Sequence, residues 1–169
     1  VKTIPLRHRV LCAGFLFQEK QKEAHLLPEM IKYHNIPIKE LRNIKQGADF
    51  IKEDGTVIPN AHLTHPAEPA RSYAYCSDTA YYEKIIPMIE GVDLLYHEAT
   101  FAEDEIGRAK QTGHSTAKQA AQIAKAANVK KLILGHFSAR YTDNLILLNE
   151  ARKVFPNTIL ANEGLREKL

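Results

Sequence analysis

Apolar residues recur along this chain with two different periods. From position 71 onward, short apolar runs alternate with longer stretches whose apolar residues fall three and four apart. The short runs predict strands at 71–76, 92–96, 129–134 and 158–161, the last following Pro156. The longer stretches predict a helix over 80–90 interrupted near Pro87, a second over 115–127 and a third over 142–154 with Asp143 in its first turn. The second helix has the clearest stripe, formed by Ala117, Ala120, Ala121, Ala124 and Ala127, with Ser115 and Asn128 as its expected caps. Strands that alternate with helices in this way make a mostly parallel sheet covered by helices. The first half reads differently: a strand at 10–17, a short helix at 27–33, and a loop-rich segment at 39–69 broken by prolines. These predict an irregular, arm-like segment over about 20–69.

Composition narrows the class without deciding the function. With 169 residues, 44% hydrophobic and 25% charged, the chain suffices for one packed domain and is neither disordered nor fibrous. No run approaches the roughly 18 apolar residues that cross a bilayer. The start, Val1-Lys2-Thr3-Ile4-Pro5, has no signal-peptide pattern, so a cytoplasmic protein without membrane partners is expected. Cys12 and Cys76 stand far apart in no CxxC or zinc-ribbon spacing, which points to buried small hydrophobes. A net charge of +3 neither proves nor repels a polyanionic partner. Lys20, Lys22, Lys32, Lys39, Arg42, Lys45 and Lys52 of the arm-like segment fit either phosphate contacts or an ordinary solvated surface.

The chemistry gathers where the predicted strands end. Tyr75-Cys76-Ser77-Asp78-Thr79, Tyr96-His97-Glu98-Ala99-Thr100-Phe101 and Leu132-Ile133-Leu134-Gly135-His136-Phe137 each place acids or imidazoles at the carboxyl end of a strand, where the ligand sites of parallel sheets lie. Imidazole and carboxylate together suit a hydrolytic zinc or manganese, which lowers the pKa of bound water and polarises a phosphoryl or carbonyl oxygen. His8, in Pro5-Leu6-Arg7-His8-Arg9, is a further candidate. Taken singly, each histidine also fits an ordinary hydrogen-bonded role, and Asp78 fits the cap of a following helix.

Five segments together resemble ribonuclease Z, the metallo-β-lactamase-fold enzyme that trims the 3′ end of precursor tRNA. They are Pro5-Leu6-Arg7-His8 with Gly14-Phe15, Tyr75-Cys76-Ser77-Asp78-Thr79, His97-Glu98-Ala99-Thr100, Gly113-His114-Ser115-Thr116, and Gly135-His136-Phe137-Ser138-Ala139-Arg140-Tyr141. The resemblance implies a zinc-dependent endoribonuclease that removes the 3′ trailer by two-metal phosphodiester hydrolysis. It implies that His8 binds one zinc, His136 the other, and that Asp78 bridges both. His114, oriented by Glu98, either protonates the leaving 3′ oxygen or anchors a phosphate, with Ser115, Thr116 and Arg140 as substrate contacts. His97 is expected to be structural.

One signature of that family is missing. No HxHxDH occurs, and no two histidines stand one residue apart. The chain therefore resembles a C-terminal portion, the α/β second half of an αββα sandwich that begins before the third metal motif. With Asp78 shared, each zinc keeps two of its four protein ligands. Weak or absent metal binding and little activity are expected of the chain alone. A sheet without its partner half exposes an apolar face, which favours a homodimer or association with the missing half. A non-catalytic RNA-binding or interaction module on the same scaffold is the competing expectation. The family's Gly-Pro element is also lacking after Ile36-Pro37, which weakens the case for tRNA recognition by the arm.

Overall fold

The computed structural model describes residues 1–168 as two compact units: 1–19 with 71–168, and 20–70. The first unit opens with a hairpin of β1 (Lys2–Pro5) and β2 (Ala13–Gln18). β1 lies outside the predicted elements, because four residues interrupted by proline carry too little alternation to register as a strand.

Residues 20–70 contain β3 (His25–Leu26), α1 (Pro28–Tyr33), α2 (Leu41–Lys45), β4 (Phe50–Ile51), β5 (Val57–Ile58) and β6 (Thr64–His65). β3 pairs with β6, and β4 with β5 around a turn in which Asp54 accepts from the Thr56 N–H and Gly55 takes a positive φ. This unit has its own apolar cluster of Ile36, Ile44, Ile58 and Leu63. The prolines and glycines that broke the periodicity serve as turns between very short elements.

The remainder of the first unit runs through β7 (Ser72–Cys76), β8 (Leu94–Glu98), α3 (Ile106–Thr112), α4 (Ala117–Ala126), β9 (Lys131–Gly135), α5 (Leu145–Arg152) and β10 (Thr158–Leu160). Among the described residues these build one six-stranded sheet in the order β1-β2-β7-β8-β9-β10, parallel from β7 to β10. The expected helix over 80–90 is instead a 3-10 helix at Glu83–Met88, with Pro87 inside it. Proline lacks the N–H that an α-helix interior needs. α4 starts two residues later than expected, with Thr116 rather than Ser115 as its cap.

One face of the sheet is covered. Ile4, Leu16, Ala74, Cys76, Leu95, Leu132 and Leu134 pack into a single cluster with Ala117, Ala120, Ala121 and Ala124 of α4 and Leu147 and Ala151 of α5. Alanine at each inward position of α4 brings its backbone close to the sheet. The opposite face carries two cross-strand rows, Phe15–Tyr75–Tyr96–Ile133 and Phe17–Tyr73–Leu94–Lys131. Phe17 stacks on Tyr73 and Tyr75 on Tyr96, yet Phe15, Phe17 and Tyr75 keep 40%, 43% and 36% of their surface exposed. The structure thus supplies one helical layer on one sheet. Gly135 is required by this arrangement, because the Tyr96 ring lies where a Cβ would sit.

Candidate active site

β7, β8 and β9 run parallel in register, with Cys76 opposite His97 and Glu98 opposite Gly135, so their carboxyl ends stop at one level. The next residues turn sharply. Asp78 and His136 both adopt left-handed backbone with φ of 57°. That conformation costs a non-glycine residue about 1–2 kcal/mol, and such strain concentrates at functional sites. It is held here by neighbouring loops: the Ala80 N–H donates to the Arg7 carbonyl at 2.7 Å, the Arg7 N–H to Thr79 Oγ1 at 3.2 Å, and the Ser138 N–H to the Thr100 carbonyl at 3.1 Å.

Asp78, Glu98, His114 and His136 come together, one ligand atom of each lying within 4.8 Å of the others. Glu98 is the hub, with no exposed surface. It accepts from the Thr79 N–H at 2.6 Å, the Ser115 N–H at 3.1 Å, the Thr100 hydroxyl at 2.6 Å and His114 Nδ1 at 2.9 Å. A carboxylate offers about four acceptor positions, so this one is saturated. The arrangement assigns both imidazole tautomers. His114 carries its proton on Nδ1, facing Glu98. The single proton of Thr100 is directed at Glu98 at 2.6 Å or at the His136 carbonyl at 2.9 Å, and with it so placed Thr100 Oγ1 accepts from Nδ1–H of His136 at 2.9 Å. Each ring is left with its lone pair on Nε2.

His136 Nε2 then faces Asp78 Oδ1 at 3.1 Å, acceptor against acceptor. Such a pair needs a cation between or beside it, a metal ion or a proton, and the nitrogen and oxygen donors suit a borderline metal. His8 stands beside this group: its Nδ1 donates to the Gly113 carbonyl at 2.9 Å and its ring lies 5.0 Å from that of His114. A backbone carbonyl on Nδ1 is the usual second partner of a histidine that ligates through Nε2. The His114 and His136 rings stack at 5.2 Å.

Three expected substrate contacts have internal partners. Ser115 and Thr116 are fully buried. Ser115 Oγ donates to the Thr79 carbonyl at 2.7 Å and its N–H to Glu98. Thr116 Oγ1 accepts from the Gln119 N–H and donates to Glu103, while its own N–H donates to the Gln119 side chain in a capping box. Arg140 Nη1 donates to Glu105 at 3.0 Å, and its guanidinium lies 5.6 Å from the centre of the Phe101 ring. His97 is buried, with Nδ1 donating to its neighbour's carbonyl at 2.8 Å and Nε2 without a partner among the described residues; burial holds its pKa below the ordinary histidine value. Thr79 and Thr100 belong to two of the segments quoted above, but no sequence pattern assigns them a role.

A mixed sheet with helices on one face and a carboxylate–imidazole cluster at its strand ends is the arrangement of one half of a metallo-β-lactamase fold, and residues 63–137 match the family model described as the beta-lactamase superfamily domain. The metallo-beta-lactamase fold protein YhfI from Bacillus subtilis superposes with a TM-score of 0.60 at 20% identity, covering 96% of this chain and 47% of that one. Human tRNase Z, short form, superposes with a TM-score of 0.52 at 21% identity, covering 96% and 40%. In sequence the chain is similar to ribonuclease Z: the Parabacteroides distasonis protein is 58% identical over 166 residues, 98% of this chain and 55% of that one. The chain spans about half the length of the curated relatives it matches.

Proposed function

We propose that this chain supplies about half of the site of a metal-dependent endoribonuclease that removes the 3′ trailer of precursor tRNA. The convergence of Asp78, Glu98, His114 and His136 at the ends of three parallel strands carries the reading, and the similarity to ribonuclease Z along 98% of the chain supports it. His8, Asp78 and His136 would hold the metal, two zinc ions in the whole enzyme with Asp78 shared. Bound there, the metal would supply a hydroxide nucleophile near neutral pH and neutralise charge on the phosphoryl oxygens. Glu98 holds the Nδ1 proton of His114 and would stabilise the imidazolium formed when Nε2 takes up a proton, and that Nε2 proton can then be passed to the leaving 3′ oxygen. Ser115 and Thr116 serve by bracing the Thr79 and Glu98 loops, not by touching phosphate, and Arg140 braces the loop after His136.

The absence of HxHxDH favours a second reading, an RNA-binding module without hydrolytic activity. A precursor-tRNA cleavage assay separates the two when run with this chain alone and with a polypeptide carrying HxHxDH added. Trailer removal that appears only on mixing, and disappears in His114→Ala, is the expected result. RNA binding without cleavage under every metal and partner condition would establish the second reading.

A further inference from the structure

Beside His114 lies a cavity of about 390 Å3 whose cationic wall the reading above does not use. Arg7, Arg9 and Lys110 line it together with His8, Tyr81 and Ile106, and no aspartate or glutamate does. Two of the three cations are uncommitted. Among the described residues, the Arg7 guanidinium and the Lys110 ammonium have no hydrogen-bond or ion-pair partner, whereas Arg9 donates to the Gln111 carbonyl at 2.9 Å. Three positive side chains around one concavity whose lining holds no carboxylate make an anion site. The rest of the wall is chosen differently. Tyr81 has already given its hydroxyl to Glu83 at 2.8 Å, so what it adds to the wall is its aromatic ring.

Cations beside an aromatic ring are what a phosphate and its adjoining base require, and the volume lies at the low end for ligand pockets, enough for a nucleotide but not a duplex. We propose that this cavity is a subsite for one nucleotide of a single-stranded RNA, its phosphate held by Arg7, Lys110 and Arg9 and its base stacked on Tyr81. A strand seated there passes His114, which forms part of the same wall. The choice of RNA among polyanions rests on the endoribonuclease reading; the cavity and its charge do not.

The test is fluorescence anisotropy of this chain with a labelled short single-stranded oligoribonucleotide, at several salt concentrations. Arg7→Gln and Lys110→Gln should each weaken binding and flatten the slope of log Kd against log salt by roughly 0.7. Tyr81→Leu should weaken binding about 5- to 100-fold, while Tyr81→Phe, which keeps the ring, should bind as the parent does. Lys125→Gln, at an exposed position in the last turn of α4, controls for general loss of charge and should leave the affinity unchanged. Arg7 and Lys110 are exposed and Tyr81 is half-buried against the core, so circular dichroism is used to check that each variant folds. Affinity and slope unaltered by Arg7→Gln and Lys110→Gln would overturn the proposal, as would an equal loss in Lys125→Gln or equal affinity for a duplex of the same sequence. Binding that obeys these substitutions while precursor tRNA is never cleaved sinks the nuclease reading and keeps the subsite. Cleavage restored by mixing, with oligonucleotide affinity indifferent to the substitutions, does the reverse.

Discussion

Glu98 concentrates more of the site's organisation than any residue that would touch substrate. Its two oxygens receive two backbone N–H groups, a hydroxyl and an imidazole in a fully buried position. Glu98→Gln replaces one acceptor by a donor and leaves at least one buried N–H or O–H without a partner. The expected cost is about 1–3 kcal/mol. For a chain of this size that lowers Tm by roughly 2–12 °C, measurable by thermal unfolding. The same variant should reduce the Nδ1-protonated form of His114 in nitrogen NMR; an unchanged tautomer would show that Glu98 does not set it. His97 makes a prediction of the opposite kind. Buried and neutral, it has a depressed pKa in the folded chain and an ordinary value of 6.5 when unfolded. The unfolded state therefore binds more protons below that value. Stability is full above about pH 6.5 and declines as pH falls toward the folded pKa. Unfolding free energies measured between pH 7.5 and 5 should show this decline, and His97→Leu should flatten it.

At the scale of elements, α4 connects the core to the site. Its alanine stripe presses it onto the sheet, and its cap, Thr116, follows the His114-Ser115 pair that Glu98 and Thr79 hold. Thr116→Ala removes the cap and the hydroxyl that Glu103 accepts, so it should cost about 0.5–2 kcal/mol in a denaturant titration, with Thr116→Ser close to the parent. An equal cost in the serine variant would assign the effect to the methyl group's packing. The parallel strands β7 to β10 were legible because each is an apolar run flanked by helical periodicity. The 3-10 segment at Glu83–Met88 was legible only as an interrupted helix, since periodicity does not distinguish three residues per turn from 3.6 over so short a span. β1 was not legible at all: its strand character comes from pairing with β2, a contact that its own four residues do not encode.

At the scale of the whole molecule, the sheet has one covered face and one aromatic face. Phe15, Phe17 and Tyr75 stay substantially exposed in adjacent rows, a contiguous aromatic patch of the kind that favours association. The chain on its own is expected to self-associate through that face. Sedimentation analysis should show concentration-dependent assembly that Phe15→Asp with Phe17→Asp abolishes, and a strictly monomeric parent at all concentrations would refute it. The amino-acid order by itself determined the alternation of strands and helices and the placing of Asp78, Glu98 and His136 at strand ends, because both follow from local periodicity and from where apolar runs stop. Only the tertiary structure decided that Ser115 and Thr116 point inward, that Thr100 links Glu98 to His136, that Asp78 and His136 turn left-handed, and that Arg7 and Lys110 meet across one cavity. These are contacts between segments distant along the chain, set by how the strands stack in register, and no local pattern carries that information.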